Sequence, residues 1–206
     1  MAVQKDPQRL VFFTDAVVAI AVTLLVLPLV DVAPEVAREH HSAVEVITKH
    51  QPEVWTYLLS FVVIIRLWLA HHRTYEHVGA YSTPLMLCNS AWLLAIVTLP
   101  FPTEMIGVFH SSRFTAALYI GTVLVANALQ TAMNLIIKFD PEVASEENPV
   151  GPDFGIGSVT ATVLLVAALV FTLAVPTVNY WPLLLLLLSS PVEWFWRRRR
   201  LSKAAA

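Results

Sequence analysis

The sequence has few charged residues and few cysteines, and both shortages narrow the class of protein. Only 14% of its 206 residues are Asp, Glu, Lys or Arg, while 57% are hydrophobic. A typical soluble domain has about 25% charged and about 45–50% apolar residues. Because the uncharged residues are concentrated in long apolar blocks, an ordinary soluble domain is excluded. The single cysteine, Cys88, also excludes a disulfide within the chain.

Several sequence motifs of catalytic and ligand-binding sites are missing as well. The sequence contains no P-loop, no glycine-rich dinucleotide motif and no cysteine-rich metal site. It also shows no convergent set of nucleophile, base and metal ligands, so we expect neither an enzyme nor a bound cofactor or metal. No apolar block carries the repeated arginines of a voltage sensor. Steep voltage dependence is therefore not expected.

The apolar blocks are long enough to cross a membrane. The bilayer core is about 30 Å thick, and a helix needs roughly 20 apolar residues to span it. Six blocks approach this length, over residues 10–30, 54–70, 85–101, 114–137, 154–175 and 181–196. Transmembrane β-strands would be about ten residues long with alternating polarity, which the leucine run 183–188 excludes. We therefore predict an all-α integral membrane protein in which residues 1–206 form one domain of six transmembrane helices.

The basic residues predict the orientation of the helices. If the N-terminus is cytoplasmic, nine Lys or Arg residues lie on the cytoplasmic side and three outside. The nine are Lys5, Arg9, Arg73, Lys138, Arg197, Arg198, Arg199, Arg200 and Lys203, and the three are Arg38, Lys49 and Arg113. Cytoplasmic loops carry an excess of basic residues, so we expect a multi-pass protein of the cell membrane with both termini cytoplasmic. The run Arg197–Arg200 is more typical of a topology anchor than of a segment that binds anionic lipid or nucleic acid. The bilayer, and not nucleic acid, is the expected partner.

Polar residues inside the apolar blocks are candidate functional residues, because a charge inside a membrane is costly. Asp15 lies in the first predicted helix and Arg66 in the second, where Trp68 and His71 follow it; Asn89 lies early in the third. In the predicted orientation all of them lie near the cytoplasmic end, so Asp15 can pair with Arg66 or His71. Such a network would act either as a structural clasp for helix one or as a proton relay. The clasp is favoured because the outer half of the helices is aliphatic.

Helix one also carries an aliphatic stripe. At about 100° per residue, Ile20, Leu24 and Leu27 fall within an arc of roughly 60°, with Thr23 on its border. Asp31 projects onto the same line at the outer mouth. This spacing alone is more typical of helix packing or lipid contact than of a pore.

Three short motifs lie in the first half of the chain: RLVFFTD at 9–15, WLAHH at 68–72, and LPFPT at 99–103, which follows Asn89. The first is similar to the Arg-x-x-x-Phe-Ser-Asp motif of the transmembrane protein 175 family, with Thr14 in place of the usual Ser. That family consists of potassium channels without the TVGYG filter. The other two motifs resemble the family's second and third helices. The last three predicted helices match the family only in number and hydropathy.

The resemblance implies a homotetramer in which four copies of helix one line a potassium pore. Ile20 would then form the narrowest hydrophobic ring, Leu24 and Leu27 would form rings outside it, and Thr23 would support the constriction. The buried network that holds helix one would consist of Arg9, Thr14, Asp15, Trp68, His71 and Asn89. An apolar ring offers no ligands and can close by dewetting. We therefore expect a leak-like channel of moderate selectivity, with K⁺ as the permeant ion.

The main alternative is a proton- or cation-coupled secondary transporter that uses Asp15 and His71. Such transporters often contain inverted repeats and helices broken at mid-membrane, and the sequence shows neither clearly.

A proline in helix one and the composition of one loop each predict a local structure. Pro28 cannot donate a hydrogen bond to the carbonyl of Leu24, so we expect a kink in the outer turn of helix one, which puts in question whether Asp31 stays on the pore line. Residues 138–153 are acidic and rich in Pro and Gly, and this composition predicts a solvated loop.

Overall fold

The computed structural model of the chain describes residues 7–38, 42–109 and 112–175. Within these ranges the backbone forms eight α-helices and one isolated antiparallel bridge, between Val78 and Ala144. The helices are α1 (Pro7–Leu24), α2 (Leu27–Arg38), α3 (Ala43–Lys49), α4 (Gln51–Tyr75), α5 (Thr83–Thr98), α6 (Pro100–Val108), α7 (Arg113–Phe139) and α8 (Ile156–Ala174). The predicted all-α architecture is confirmed. The predicted helix 181–196 and the run Arg197–Arg200 lie outside the described residues.

Five helical segments of the described ranges are long and apolar enough to cross a membrane. They are Pro7–Arg38, Gln51–Tyr75, Thr83–Val108, Arg113–Phe139 and Ile156–Ala174. They coincide with the first five predicted blocks but differ at their ends, partly because polar capping residues extend a helix beyond its apolar stretch. Ser82 accepts a hydrogen bond from the Leu85 N–H at the start of α5, and Ser112 accepts one from the Thr115 N–H at the start of α7. We call the end of the bundle where α1 begins and α4 and α7 end the proximal end, and the opposite end the distal end.

Two of these segments are broken next to a proline. α1 ends at Leu24 and α2 begins at Leu27, because Pro28 has no N–H to donate to the carbonyl of Leu24. The expected disturbance of helix one at Pro28 therefore takes the form of a break between α1 and α2. In the third segment, α5 ends at Thr98 and α6 begins at Pro100, a break that the predicted continuous helix 85–101 did not include.

The helices pack around α5 and α7, which contribute many of the fully buried side chains. These include Trp92, Ile96, Tyr119, Ile120 and Met133. Lipid tails are as apolar as leucine, so helix association in a membrane depends on close packing and on hydrogen bonds between helices. One such link joins α4, α6 and α7: the Ser60 hydroxyl lies 2.8 Å from the Thr103 hydroxyl and donates to the Tyr119 hydroxyl at 3.0 Å.

The proximal loops are held together by backbone hydrogen bonds. The Gly79 N–H donates to the carbonyl of Val143 at 2.9 Å, and the Ser145 N–H donates to the carbonyl of His77 at 2.8 Å. A Cβ on Gly79 would lie 3.1 Å from the Cα of Ser145, so a larger residue would push the loops apart. Val143 is fully buried. The expectation of a solvated loop over 138–153 is wrong at this point, because the loop docks on the turn after α4.

Candidate functional site

One face of the first membrane-crossing segment is buried against its neighbours. Thr14, Val18, Ala21 and Leu25 follow each other at intervals of four, three and four residues, and all four are buried. This spacing places them on one side of the segment, against α4 and α5. The buried face begins with a polar residue at the proximal end and continues with small and aliphatic residues toward the distal end.

Asp15 is held by an indole. The Nε1–H of Trp68 on α4 donates to the Asp15 carboxylate at 2.7 Å, and the carboxylate is partly buried. At 2.7 Å this is a short hydrogen bond. It fixes the proximal part of α1 against the proximal part of α4.

A second hydrogen-bonded chain connects α1, α5 and α4. The Nδ2–H of Asn89 donates to the Thr14 hydroxyl at 3.1 Å, and the Asn89 carbonyl oxygen lies 2.7 Å from Nε2 of His71. Because the carbonyl oxygen can only accept, the proton of this bond belongs to Nε2. The His71 ring is stacked between Tyr75 and Trp92, with centroid distances of 4.3 and 4.4 Å. One hydrogen bond at Nε2 and stacking on both ring faces thus hold His71, while its Nδ1 is buried and has no hydrogen-bond partner among the described residues.

The two predicted arginines lie away from these bonds. Arg9 is exposed. Arg66 lines a cavity between α4, α7 and α8, because it lies two residues before Trp68 and therefore about 200° away from it around the helix. The predicted pairing of Asp15 with Arg66 is wrong: Asp15 accepts from Trp68, and His71 binds Asn89 instead.

The opposite face of α1 is apolar and uncovered. Ile20 is 60% exposed and Leu24 is 39% exposed, whereas the adjacent Ala21 is 0% exposed. Thr23 is also exposed, and its hydroxyl donates to the carbonyl of Ile20 at 2.8 Å. Leu27 is 50% exposed, but it opens α2 after the break. Ile20 and Leu24 of the predicted stripe therefore lie on α1, whereas Leu27 lies on α2. Whether Leu27 is aligned with the other two depends on the angle between the two helices.

The residue predicted at the outer mouth lines a distal cavity. Asp31 on α2 is exposed and borders a cavity of about 260 Å³ between α2, α4 and α6. The same cavity is bordered by Glu104 and by Glu53, whose carboxylate lies 3.4 Å from Nδ1 of His50. Elsewhere in the described ranges, too, no three side chains of His, Cys, Asp or Glu lie close enough together to hold a metal ion.

Sequence reasoning missed a second polar network, centred on α7. Asn127, Gln130 and Asn134 are all buried in the fourth predicted block. The Gln130 amide donates to the Thr74 hydroxyl at 2.7 Å, and the Asn134 amide donates to the Ser158 hydroxyl at 2.9 Å. The signal was present in the sequence, because amide side chains at intervals of three and four residues form a stripe on one helix face.

Comparisons with known proteins agree with this fold. The family model described as endosomal/lysosomal potassium channel TMEM175 matches residues 9–100. A potassium channel of Streptomyces collinus is 32% identical over 125 residues, which cover 59% of this chain and 59% of that protein. A potassium channel of a Chryseobacterium species is 30% identical over 135 residues, which cover 65% of this chain and 67% of that protein. The match to the Streptomyces protein thus spans less than two thirds of its length.

A solved structure has the same fold. The crystal structure of a lysosomal potassium-selective channel TMEM175 homologue from Chamaesiphon minutus aligns with 90% of this chain and 97% of that one, with a TM-score of 0.71. The two sequences are 21% identical, so this likeness shows the fold. Together with the motifs at 9–15, 68–72 and 99–103, the comparisons establish that this all-helical membrane protein belongs to the TMEM175 family.

Proposed function

We propose that this chain is a potassium-selective, leak-like cation channel in the plasma membrane. It works as a homotetramer, with six transmembrane helices per subunit and both termini cytoplasmic. The observation that carries the proposal is the division of α1 into a face fixed by hydrogen bonds and an exposed apolar face bearing Ile20 and Leu24. The Streptomyces and Chryseobacterium relatives are potassium channels, which supports potassium as the permeant ion.

In the proposed tetramer, four copies of Ile20 surround the ion path at its narrowest point. Leu24 and Leu27 form further rings toward the distal end. A ring of alkyl side chains offers no oxygen ligands, so a cation passes largely hydrated or loses water at a cost. Potassium loses hydration water more readily than sodium, so a narrow apolar ring favours it moderately. When the ring narrows, water leaves it and conduction stops.

Thr23 supports this constriction through its hydroxyl. The hydroxyl proton is directed to the Ile20 carbonyl, and the oxygen keeps lone pairs that are available to a passing cation. Asp31 lies beyond the rings, at the distal mouth, where a carboxylate raises the local concentration of cations.

The polar residues on the other face act as the clasp that sets the position of α1. Trp68 holds Asp15, and Asn89 joins Thr14 to His71. A transporter would need Asp15 and His71 to exchange a coupling ion. Each of them is instead engaged with its own neighbour, and the stacked rings of Tyr75 and Trp92 enclose His71. This arrangement favours the clasp over the relay.

Potassium flux into proteoliposomes tests the channel assignment. Ile20→Asn should raise the flux several-fold and lower the preference for K⁺ over Na⁺, because a polar ring stays hydrated. Val163→Asn is the matched control, since Val163 is an exposed apolar residue in the middle of α8; it should leave the flux unchanged. A native protein without flux, or an Ile20→Asn protein with native flux, would refute the pore assignment.

Two further measurements separate the channel from the transporter. A native mass spectrum should show four copies of the 22.9 kDa chain. Flux should persist without a proton gradient. If uptake requires such a gradient, and a stable Asp15→Asn protein loses only that coupled uptake, the transporter assignment is correct instead.

A further inference from the structure

A cavity of about 410 Å³ lies on the side of α4 opposite the clasp. It is enclosed by the proximal half of α4, by the middle and proximal parts of α7, and by the start of α8 with the loop before it. Its volume falls in the range of roughly 300–1,000 Å³ that is usual for small-molecule sites. Because α4 and α7 end at the proximal end and α8 begins there, the cavity extends from the proximal end toward the middle of the bundle.

The wall of the cavity on α4 is basic. Arg66 and Arg73 both line it, and His77 lies next to them in the following turn. Among the described lining residues, Asp153 is the one acidic side chain. Arg73 is exposed on the last turn of α4, where its guanidinium can reach a group at the membrane surface. Basic cavities between transmembrane helices on the cytoplasmic side are suited to anionic lipid headgroups, and the basic residues predict that this end is cytoplasmic.

The wall opposite the arginines is the N-terminus of α8. Gly155 precedes the helix with a φ of 83°, a left-handed conformation that glycine adopts without strain. Gly157 and Ser158, in the first turn, line the cavity. Backbone N–H groups in the first turn of a helix have no carbonyl partner within the helix and attract anions. The cavity is thus lined both by a helix N-terminus and by the exposed Arg73.

The side chain of Gln130 independently indicates that the cavity binds a ligand. It lines the cavity and is 1% exposed. Its amide nitrogen donates to Thr74, but its carbonyl oxygen is buried and has no hydrogen-bond partner among the described residues. A buried acceptor without a hydrogen-bond partner destabilises the protein. A ligand that brings a hydroxyl or an ammonium donor would satisfy it.

We propose that this cavity binds a phosphate group that carries a neighbouring hydrogen-bond donor, as in a phospholipid headgroup or a soluble phosphate ester. The phosphate lies between Arg73 and the first turn of α8, and the donor reaches the carbonyl oxygen of Gln130. This site is separate from the pore face of α1, and its occupancy can be measured without any measurement of ion flux.

The test uses the purified full-length chain in detergent, with native mass spectrometry and the midpoint of thermal unfolding as readouts. The probes are phosphatidylglycerol, which has a phosphate and hydroxyl donors, phosphatidylcholine, whose headgroup has no donor, and soluble glycerol 3-phosphate. Phosphatidylglycerol or glycerol 3-phosphate should bind and raise the midpoint, and phosphatidylcholine should bind at least about tenfold more weakly, as expected for an unmet acceptor. Binding of glycerol 3-phosphate identifies a soluble ester as a ligand, whereas binding of phosphatidylglycerol alone identifies a lipid headgroup.

Variants then locate the site. Arg73→Ala should weaken binding about tenfold, the usual effect of losing one charge-assisted hydrogen bond, and Arg73→Lys should recover part of the loss. Arg113→Ala is the matched control, because Arg113 is also exposed but lies at the distal end. Equal losses in Arg73→Ala and Arg113→Ala, or no binding of either donor-bearing phosphate, would overturn the site. Equal affinity for phosphatidylcholine and phosphatidylglycerol would overturn the role of Gln130.

Discussion

The two faces of α1 differ in what they need from the rest of the molecule. The face of Thr14 and Ala21 is buried, and Asp15 at its edge is tied to Trp68. The face of Ile20 and Leu24 is exposed and has no polar group apart from the Thr23 hydroxyl, which is bonded to the helix itself. Both faces consist mainly of aliphatic residues, so hydrophobicity does not distinguish them.

Hydrogen bonding distinguishes the two faces instead. A polar side chain in an apolar environment requires a partner, so Thr14 and Asp15 determine which side of α1 packs against α4 and α5. An aliphatic side chain makes no such demand and can face lipid, another subunit or a water-filled path. This difference predicts that substitutions on the clasped face change stability, while substitutions on the uncovered face change conduction.

The largest effect on stability is expected at Asn89, because its side chain bonds both Thr14 on α1 and His71 on α4. Asn89→Leu leaves both the Thr14 hydroxyl and Nε2 of His71 without a partner, and should lower the free energy of unfolding by about 2–4 kcal/mol. Thermal unfolding in detergent measures this loss. Ser90→Ala is the control, because the exposed Ser90 hydroxyl only bonds to the carbonyl of Met86. If the two variants are equally stable, the clasp does not hold α1.

Two adjacent residues of α1, Ile20 and Ala21, lie on opposite sides of this division. Ala21→Asn forces a larger polar group into a fully buried position and should cost about 2–3 kcal/mol of unfolding free energy. Ile20→Asn, one residue earlier on the uncovered face, should cost less than about 1 kcal/mol while it raises the potassium flux. Denaturant titration of both variants tests the difference. Equal destabilisation would mean that α1 is not divided into two faces.

A smaller effect is expected at the indole that holds Asp15. Trp68→Phe keeps the aromatic bulk but removes the Nε1–H donor, and should lower the free energy of unfolding by about 1–2 kcal/mol. Trp55→Phe on the same helix is the control, because Trp55 is exposed. The midpoints of thermal unfolding of the two proteins report the contrast, and an unchanged midpoint for Trp68→Phe would show that the bond does not stabilise the fold.

The smallest effect on stability is expected at Thr23. Thr23→Val removes a hydroxyl that bonds only to the neighbouring turn, so the free energy of unfolding should change by less than about 0.5 kcal/mol. The ratio of K⁺ to Na⁺ permeability should fall nonetheless, because an oxygen next to the constriction is lost. Thr23→Ser keeps the hydroxyl and should keep the ratio. A native ratio in Thr23→Val would remove this residue from the proposed pore.

Some helix boundaries and loops could be predicted from the sequence, and others could not. The length and polarity of the apolar blocks predicted five of the observed segments, and the missing N–H of Pro28 predicted the break before α2. The break before Pro100 was not foreseen, although the same chemistry applies there. The loop over 138–153 was taken as solvated because its composition is polar. Composition does not report that the Val143 carbonyl pairs with Gly79.

The sequence by itself determined that the chain is an all-helical membrane protein, that Thr14, Asp15, His71 and Asn89 need polar partners, and that Pro28 interrupts the first membrane-crossing segment. The physical reason is that bilayer thickness, burial cost and proline chemistry act on local residues. Only the tertiary structure decided that Asp15 binds Trp68 instead of Arg66, and that Arg66 faces a cavity with Gln130. A buried polar group must find a partner, but which partner it finds depends on how each helix is rotated against its neighbours, and packing of the whole bundle sets that rotation.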